Sequence, residues 1–275
     1  MTQANGLPFL PDDVIGEIAS HIDCNSVLEE NSARESARRC CLVSHAFRHH
    51  FQPCLFRKVL IVERGSNSYE QQISQLLSAF ESNPTLLGFV KELEYILHED
   101  SWTKSNTPLL PLLMDTLKEI TAFSLLARGL RRQWKSLHVS HREAICRICQ
   151  RPTLRTLSFG LLFDWPANIV FNDRLKVSSL AIRDVSLSFC DADLTPLFDG
   201  MEESPLEMPF FASLETIVCT TGAGTDLKAA ARWLYPAVKA ASSSKALRSV
   251  EFVLYGNPSD GESLAFLQGR LLSLC

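Results

Sequence analysis

One short apolar pattern recurs along the chain beyond residue 90 and constrains its fold more than any other feature. The pattern is apolar-x-x-apolar-x-apolar, and its last three residues suit a short strand with one buried face. Its seven copies have their middle apolar residues at positions 93, 120, 137, 157, 180, 217 and 250, which are 17 to 37 residues apart. A chain with this pattern is expected to contain many short strands.

Helical stretches lie between the copies, at residues 69–81, 142–150 and 226–241. A strand followed by a helix every 20 to 30 residues or so, roughly the spacing here, is typical of a leucine-rich solenoid, in which each unit buries its apolar side against its neighbours. The spacing is irregular, however, and the consensus asparagine is missing after every strand. The alternative is a generic α/β domain whose strands share the pattern by chance. The pattern favours an irregular, leucine-rich-repeat-like solenoid that closes with a helix over Glu262–Leu274.

Composition limits the class of protein and its partners. The chain has 275 residues and a net charge of -4, so it has no basic excess that would favour nucleic acid or an anionic membrane as a partner. Its nine cysteines are odd in number and irregularly spaced, and the N-terminus has no signal segment, which predicts reduced thiols in the cytoplasm or nucleus. No apolar run approaches the roughly 20 residues of a spanning helix, so the sequence predicts a soluble protein.

The N-terminal segment begins with a helix signal. Pro11 precedes Asp12 and Asp13, and both a proline and acidic residues are favoured in the first turn of a helix. Apolar residues follow at helical spacing: Val14, Ile15, Ile18 and Ile22. One face of this first helix is therefore apolar.

Two more helices are expected before the first strand. Ser32 and Glu35 have the spacing of a capping box and would open the second helix. Ser44 can cap a third helix, which Pro53 would end, and residues 59–62 are rich enough in β-branched side chains for a strand. Three helices in about 45 residues form a very small core, so this unit is expected to depend on a partner or on the following domain.

The same N-terminal residues carry a family resemblance. Its three blocks are Leu10-Pro11-Asp12-Asp13-Val14-Ile15 with Glu17-Ile18, then Cys41-Leu42-Val43-Ser44 with Ala46-Phe47, and then Leu55-Phe56-Arg57 with Val59. In order and residue type these blocks closely resemble the F-box motif of large fungal families. The resemblance covers about 50 of the 275 residues. The spacing between the first two blocks is longer than usual, and Ala37 stands near the place of the usual leucine.

The resemblance implies a fold and a partner. The predicted fold class is α/β, with an N-terminal three-helix F-box over residues 7–62 followed by the irregular leucine-rich-repeat-like solenoid over residues 63–275. An F-box docks on the small Skp-type adaptor of a cullin-based SCF ubiquitin ligase. The residues that would divide between adaptor contact and the segment's own core are Leu10, Pro11, Val14, Ile15, Ile18, Cys41, Leu42 and Val43. An apolar face too large for so small a unit to bury is consistent with a docking role.

Patterns for catalysis and metal binding are weaker. His138, His141, Cys146 and Cys149 have side chains that suit zinc, but a helix with two buried cysteines explains the CxxC pair better. Gly222 and Gly224 precede a helical run without the spacing of a phosphate loop. No spacing pairs a nucleophile with a base, so we expect no catalytic residue, no cofactor and no metal.

These observations favour a substrate-recognition subunit of an SCF-type ligase. The F-box would hold the adaptor, the repeat region would hold an unknown target protein, and other subunits would transfer ubiquitin. The alternative is a leucine-rich-repeat-like protein-binding scaffold with a decayed F-box and no ligase role. Binding to the adaptor separates the two hypotheses.

Overall fold

The structure is a computed structural model of the whole chain. It describes residues 10–21, 30–63, 66–97, 108–128, 132–163, 165–166, 177–183, 187–188, 213–221, 238, 241–243 and 245–254. The closing helix expected over Glu262–Leu274, the glycines at 222 and 224, and most of the helix expected over 226–241 lie outside these residues.

The described residues form seven α-helices, one 3-10 helix and eleven strands. The α-helices are α1 Asp12–His21, α2 Glu30–Cys41, α3 His45–Phe56, α4 Ser66–Ser82, α5 Thr85–Phe89, α6 Leu109–Thr116 and α7 Val139–Cys149, and the 3-10 helix is Trp134–Ser136. The strands are β1 Lys58–Glu63, β2 Glu92–Leu97, β3 Ala122–Ala127, β4 Arg132–Gln133, β5 Thr156–Gly160, β6 Leu162–Phe163, β7 Trp165–Pro166, β8 Ser179–Arg183, β9 Leu187–Ser188, β10 Thr216–Thr221 and β11 Ser249–Leu254.

Seven of the strands form one sheet. Their order is β1-β2-β3-β5-β8-β10-β11, and every neighbouring pair is parallel. The strands lie side by side in the order in which they occur in the chain, so the chain returns to the same end of the sheet between one strand and the next. Each of the remaining two sheets pairs two short strands, β4 with β6 and β7 with β9.

The register places matching side chains in rows across the sheet. One buried row consists of Val59, Leu93, Phe123, Leu157, Leu180 and Ile217, and the next consists of Ile61, Tyr95, Leu125, Phe159, Ile182 and Cys219. Both rows belong to the same apolar cluster as residues of α4, α5, α6 and α7. The core therefore lies between these helices and one face of the sheet, while described side chains of the opposite face, such as Ser124, Ser158 and Ala181, are mostly half-buried.

The predicted architecture within the α/β class is wrong. The described chain is an α/β structure with a seven-stranded, all-parallel sheet and helices, and not a three-helix F-box followed by a leucine-rich-repeat-like solenoid. The error has a physical reason, because the recurring pattern reports only that a short strand buries alternate side chains on one face. It carries no information about how the strands are joined or which of them pair, and a parallel α/β sheet produces the same pattern.

Individual elements also differ from the sequence prediction. The copy centred on Leu137 is not a strand, since it falls on the 3-10 helix and the start of α7. The second helix starts before the Ser32–Glu35 pair, which lies inside α2. The third helix is capped by Ser44 as expected, but it continues through Pro53 to Phe56. A proline inside a helix removes one backbone hydrogen bond and crowds the carbonyl of the preceding turn, but burial of Phe51, Leu55 and Phe56 against apolar partners offsets that cost.

The N-terminal helices are attached to the first edge of the sheet. The carbonyl of Arg57 accepts hydrogen bonds from residues 91 and 92 at the start of β2, so the carbonyls of Lys58 and Leu60 face the other side of β1. There the Arg34 side chain of α2 donates to Lys58 O over 2.7 Å, and Gln72 of α4 donates to Leu60 O over 3.0 Å. The two side chains cover an edge that would otherwise pair with another chain. The boundary expected between residues 62 and 63 falls within β1.

Neighbouring substitutions in β5 test the assignment of the two sheet faces. Phe159 is fully buried, so Phe159→Ala should lower the free energy of unfolding by about 3–5 kcal/mol. Ser158 lies on the opposite face, and Ser158→Ala should change it by less than about 0.5 kcal/mol. Urea denaturation measures both values, and similar losses for the two variants would contradict the assignment.

Candidate docking surface on the N-terminal helices

The three N-terminal helices share a small core of their own. Its fully buried members are Ile15, Ala19, Ala37 and Phe51, which come from α1, α2 and α3. Phe47 and Phe51 stack one turn apart on α3, with ring centroids 5.8 Å apart. With few large side chains inside, this core leaves much of the apolar surface of the segment outside it.

Helix α1 is apolar on two sides. Ile15 and Ala19 point into the small core, where Ile15 is only 2% exposed. Val14 and Ile18 are four residues apart and share the solvent side of the helix, and Leu10, four residues before Val14, is also exposed. A helix in contact with protein on one side only would carry polar residues on its outer side, so the exposed apolar row is a candidate contact surface.

The turn between α2 and α3 carries the two most exposed large apolar side chains of the described chain. Leu42 is 77% exposed and Val43 is 67% exposed. The turn has a fixed backbone, because Leu42 N donates to Arg39 O and Val43 N donates to Cys40 O, each over 3.0 Å. The Ser44 hydroxyl then accepts from Phe47 N and starts α3. The structure therefore presents both side chains to solvent on a formed turn.

The structure divides the eight residues of the proposed adaptor site between surface and core. Six are exposed: Leu10, Pro11, Val14, Ile18, Leu42 and Val43. Ile15 is a core residue, and Cys41 is half-buried against the same core. Burial is the main reason why the pKa of the Cys41 thiol is raised, so the thiol stays protonated at neutral pH. The docking surface is therefore defined by the six exposed residues.

A close contact between α1 and α3 was not apparent from the sequence. A Cβ atom on Gly16 would lie 3.3 Å from the Cε1 and Nδ1 atoms of His50, so the absence of a side chain lets the two helices approach. His50 Nε2 lies 2.9 Å from Asp12 Oδ1 on the same side of α1. A glycine inside a helix normally lowers helix stability. The presence of Gly16 within a helical pattern was therefore the one sign in the sequence that this position has a packing role.

The four residues weighed as zinc ligands have separate roles. His138 caps α7, with its Nδ1 atom accepting from Ser140 N, whereas His141 is buried. Burial raises the pKa of the thiols of Cys146 and Cys149, although zinc binds thiolates. Within the described ranges, no three His, Cys, Asp or Glu side chains are grouped as metal ligands would be.

A buried polar cluster lies where β1 and β2 meet α4. Tyr95 donates its hydroxyl hydrogen to Glu63 Oε2 over 2.8 Å, and the Tyr69 ring stacks on that of Tyr95 with centroids 6.4 Å apart. The Tyr69 hydroxyl makes no well-formed hydrogen bond with the described residues. Burial raises the pKa of both tyrosines, so neither can act as a base near neutral pH. A cluster closed to solvent is structural rather than a site for a substrate.

Comparison with known proteins adds no family. Neither the models of known protein families nor the curated proteins contain a match to this sequence. In the part of the chain that the structure describes, no helix is both long and apolar enough to cross a membrane.

Adjacent residues of α1 test the division into core and surface. Ile15→Ala removes a buried side chain and should lower the free energy of unfolding of the helical segment by about 2–5 kcal/mol. Val14→Ala removes an exposed one and should change it by less than about 0.5 kcal/mol. Urea denaturation followed by circular dichroism measures the difference, and a larger loss for Val14→Ala would reverse the assignment.

The buried tyrosines predict a dependence of stability on alkaline pH. The pKa of Tyr69 and that of Tyr95 are raised in the folded state, so the stabilisation is complete below the ordinary tyrosine pKa of about 10 and declines as pH rises above it. Above about pH 10, each of these two tyrosines should reduce the folding equilibrium constant by up to about tenfold per pH unit. Ultraviolet titration should find at least two of the four tyrosines protonated at about pH 11 while the protein stays folded.

Tyr69→Phe provides the control for this titration. The variant should have one resistant tyrosine fewer and a shallower loss of stability above about pH 10. Its free energy of unfolding at neutral pH should fall by no more than about 1.5 kcal/mol, because the variant removes at most one interaction of this hydroxyl with Tyr95. Ionisation of all four tyrosines of the folded wild-type protein near their ordinary pKa would contradict the buried cluster.

Proposed function

We propose that the protein is the substrate-recognition subunit of an SCF-type ubiquitin ligase. The N-terminal helices would dock on a Skp-type adaptor and through it on a cullin, in the cytoplasm or nucleus. The remainder of the chain, residues 63–275, would hold a target protein. The observation that carries the proposal is the coincidence of the F-box-like residues with the exposed apolar surface of α1 and the α2–α3 turn.

The concentration of exposed apolar side chains supports a docking role. Eight large apolar side chains are exposed in the described chain, and five of them belong to residues 10–43: Leu10, Val14, Ile18, Leu42 and Val43. The other three are spread over α6, α7 and β11. Apolar side chains scattered singly are normal on a protein surface, whereas a concentrated set marks an interaction site.

The mechanism would be proximity rather than chemistry on this chain. A receptor that binds an adaptor and a target together raises the effective concentration of the target near the enzyme that carries ubiquitin. Arg34 and Gln72 support this role, because they tie α2 and α4 to the edge strand β1. The adaptor-binding helices and the sheet would then move as one unit.

The rival proposal is a protein-binding scaffold that has lost the adaptor contact. It shares the target-binding role of the sheet region and differs only in the N-terminal helices. The long spacing between the first two F-box-like blocks and the small Ala37 in the core favour it. One binding measurement separates the proposals, since only the ligase subunit needs the adaptor.

Apolar-to-acidic substitutions on the exposed surface test the adaptor contact. Full burial of a leucine or isoleucine side chain contributes about 1.5–3 kcal/mol, and a buried charge adds a penalty. Ile18→Asp and Leu42→Asp should therefore each weaken binding of a purified Skp-type adaptor at least about tenfold, measured by titration calorimetry. Both side chains are exposed in the free protein, so the fold should remain.

Leu112→Asp is the matched control. Leu112 is 54% exposed on α6, outside the N-terminal helices, so the same chemical change there should leave adaptor affinity unaltered. Absence of adaptor binding by the wild-type protein at micromolar concentrations would contradict the ligase role. An equal loss in all three variants would show non-specific adhesion instead of docking.

A further inference from the structure

The segment that carries the exposed turn is basic, although the chain as a whole is acidic. Residues 30–57 contain five arginines and two glutamates, whereas the whole chain has a net charge of -4. The arginines in this segment are Arg34, Arg38, Arg39, Arg48 and Arg57. Arg34 and Arg57 are directed to the sheet, where they contact Lys58 O and Glu92. The side chains of the other three, Arg38, Arg39 and Arg48, are exposed on α2 and α3.

These three arginines lie within about six residues of the turn along the chain. Arg38 and Arg39 lie four residues before Leu42 and Val43, in the last turn of α2. Arg39 O accepts the hydrogen bond that closes the turn at Leu42 N. On the other side, Arg48 in α3 donates from its Nε atom to Cys41 O over 3.4 Å, which holds its guanidinium beside the turn. Arg48 therefore lies beside the turn, whereas the guanidiniums of Arg38 and Arg39 reach back toward Glu35, within one helical turn of it.

Acidic groups neutralise only part of this charge. Glu35 is shared between Arg39 at 3.0 Å and Arg38 at 4.0 Å, and the side chains of both arginines are about three-quarters exposed. Arg48 forms no ion pair with any residue that the structure describes. Exposed cations within one helical turn of an apolar tip suit a protein interface, where a polar, solvent-accessible rim surrounds a desolvated core.

We propose that Leu42 and Val43 insert into an apolar recess of the partner that is rimmed by carboxylates. The inference deepens the proposed function, on which it rests, by naming the chemistry of the adaptor surface opposite the α2–α3 turn. A nucleic acid fits less well. It offers phosphates and base edges rather than a recess for two aliphatic side chains.

The rim charges should govern the rate of association more than the apolar contact does. Opposite charges on two proteins raise their association rate, and salt weakens this attraction by screening it. Truncation of a buried apolar contact instead acts mainly on the dissociation rate. The Arg38→Ala/Arg48→Ala double variant should therefore associate with the adaptor at least about threefold more slowly at low salt. The dependence of its association rate on salt should also be weaker than that of the wild-type protein.

Stopped-flow association of the full-length chain with a purified Skp-type adaptor, over a series of sodium chloride concentrations, tests this inference. Arg38→Lys/Arg48→Lys keeps the charges and should retain most of the wild-type rate. Arg248→Ala removes an equally exposed arginine just before β11, at the sheet edge opposite β1, and should have no effect.

The outcomes separate the inference from the function on which it rests. Adaptor binding with the same rate and salt dependence in the double alanine variant would overturn the acidic rim and leave the ligase role standing. No adaptor binding by the wild-type protein would overturn both. A duplex DNA oligonucleotide and phosphatidylserine vesicles serve as alternative probes. If the wild-type protein bound either one more tightly than the adaptor, and the double variant lost that binding, a polyanion would replace the acidic protein as occupant.

Discussion

Burial of one face of the parallel sheet is the constraint on which the rest of the structure depends. Six of the seven strands place their alternate side chains in continuous buried rows, and helices from α4 to α7 along the chain cover those rows. Paired interactions secure the cover, as where Arg147 binds Asp115 through two hydrogen bonds and Arg151 donates to the carbonyls of Met114 and Leu117 at the end of α6. Helices α6 and α7 are therefore fixed relative to each other as well as to the sheet.

The same constraint determines where a docking surface can form. The first strand of the sheet, β1, is an edge strand. Arg34 of α2 and Gln72 of α4 cover its outer edge. The side chains of α2 and α3 that face the sheet and the small core are therefore unable to contact a partner. The outer side of α1 and the α2–α3 turn remain available, and five of the eight exposed large apolar side chains of the described chain lie there. The attachment of the helices to β1 therefore also determines which surface is left for the proposed docking.

Sequence patterns predicted local structure better than global structure. The recurring apolar-x-x-apolar-x-apolar pattern located β2, β5, β8, β10 and β11, and the side-chain cap at Ser44 located the start of α3. The arrangement of the strands was beyond reach, because strand pairing depends on contacts between residues far apart in the chain. The division of the eight site residues into surface and core was also out of reach, since Val14 and Ile15 are equally apolar and only the packing of α1 on α3 distinguishes them. The adaptor role itself stays a prediction.

Hydrogen exchange of the full chain with and without a purified Skp-type adaptor tests the central claim most directly, because it maps the docking surface. The adaptor should slow exchange in α1 and in the turn at residues 42–44, while α6 and α7 should exchange at unchanged rates. Protection confined to α6, α7 or the sheet, with none in α1 or the turn, would contradict the claim that the exposed apolar surface of the N-terminal helices is the docking site.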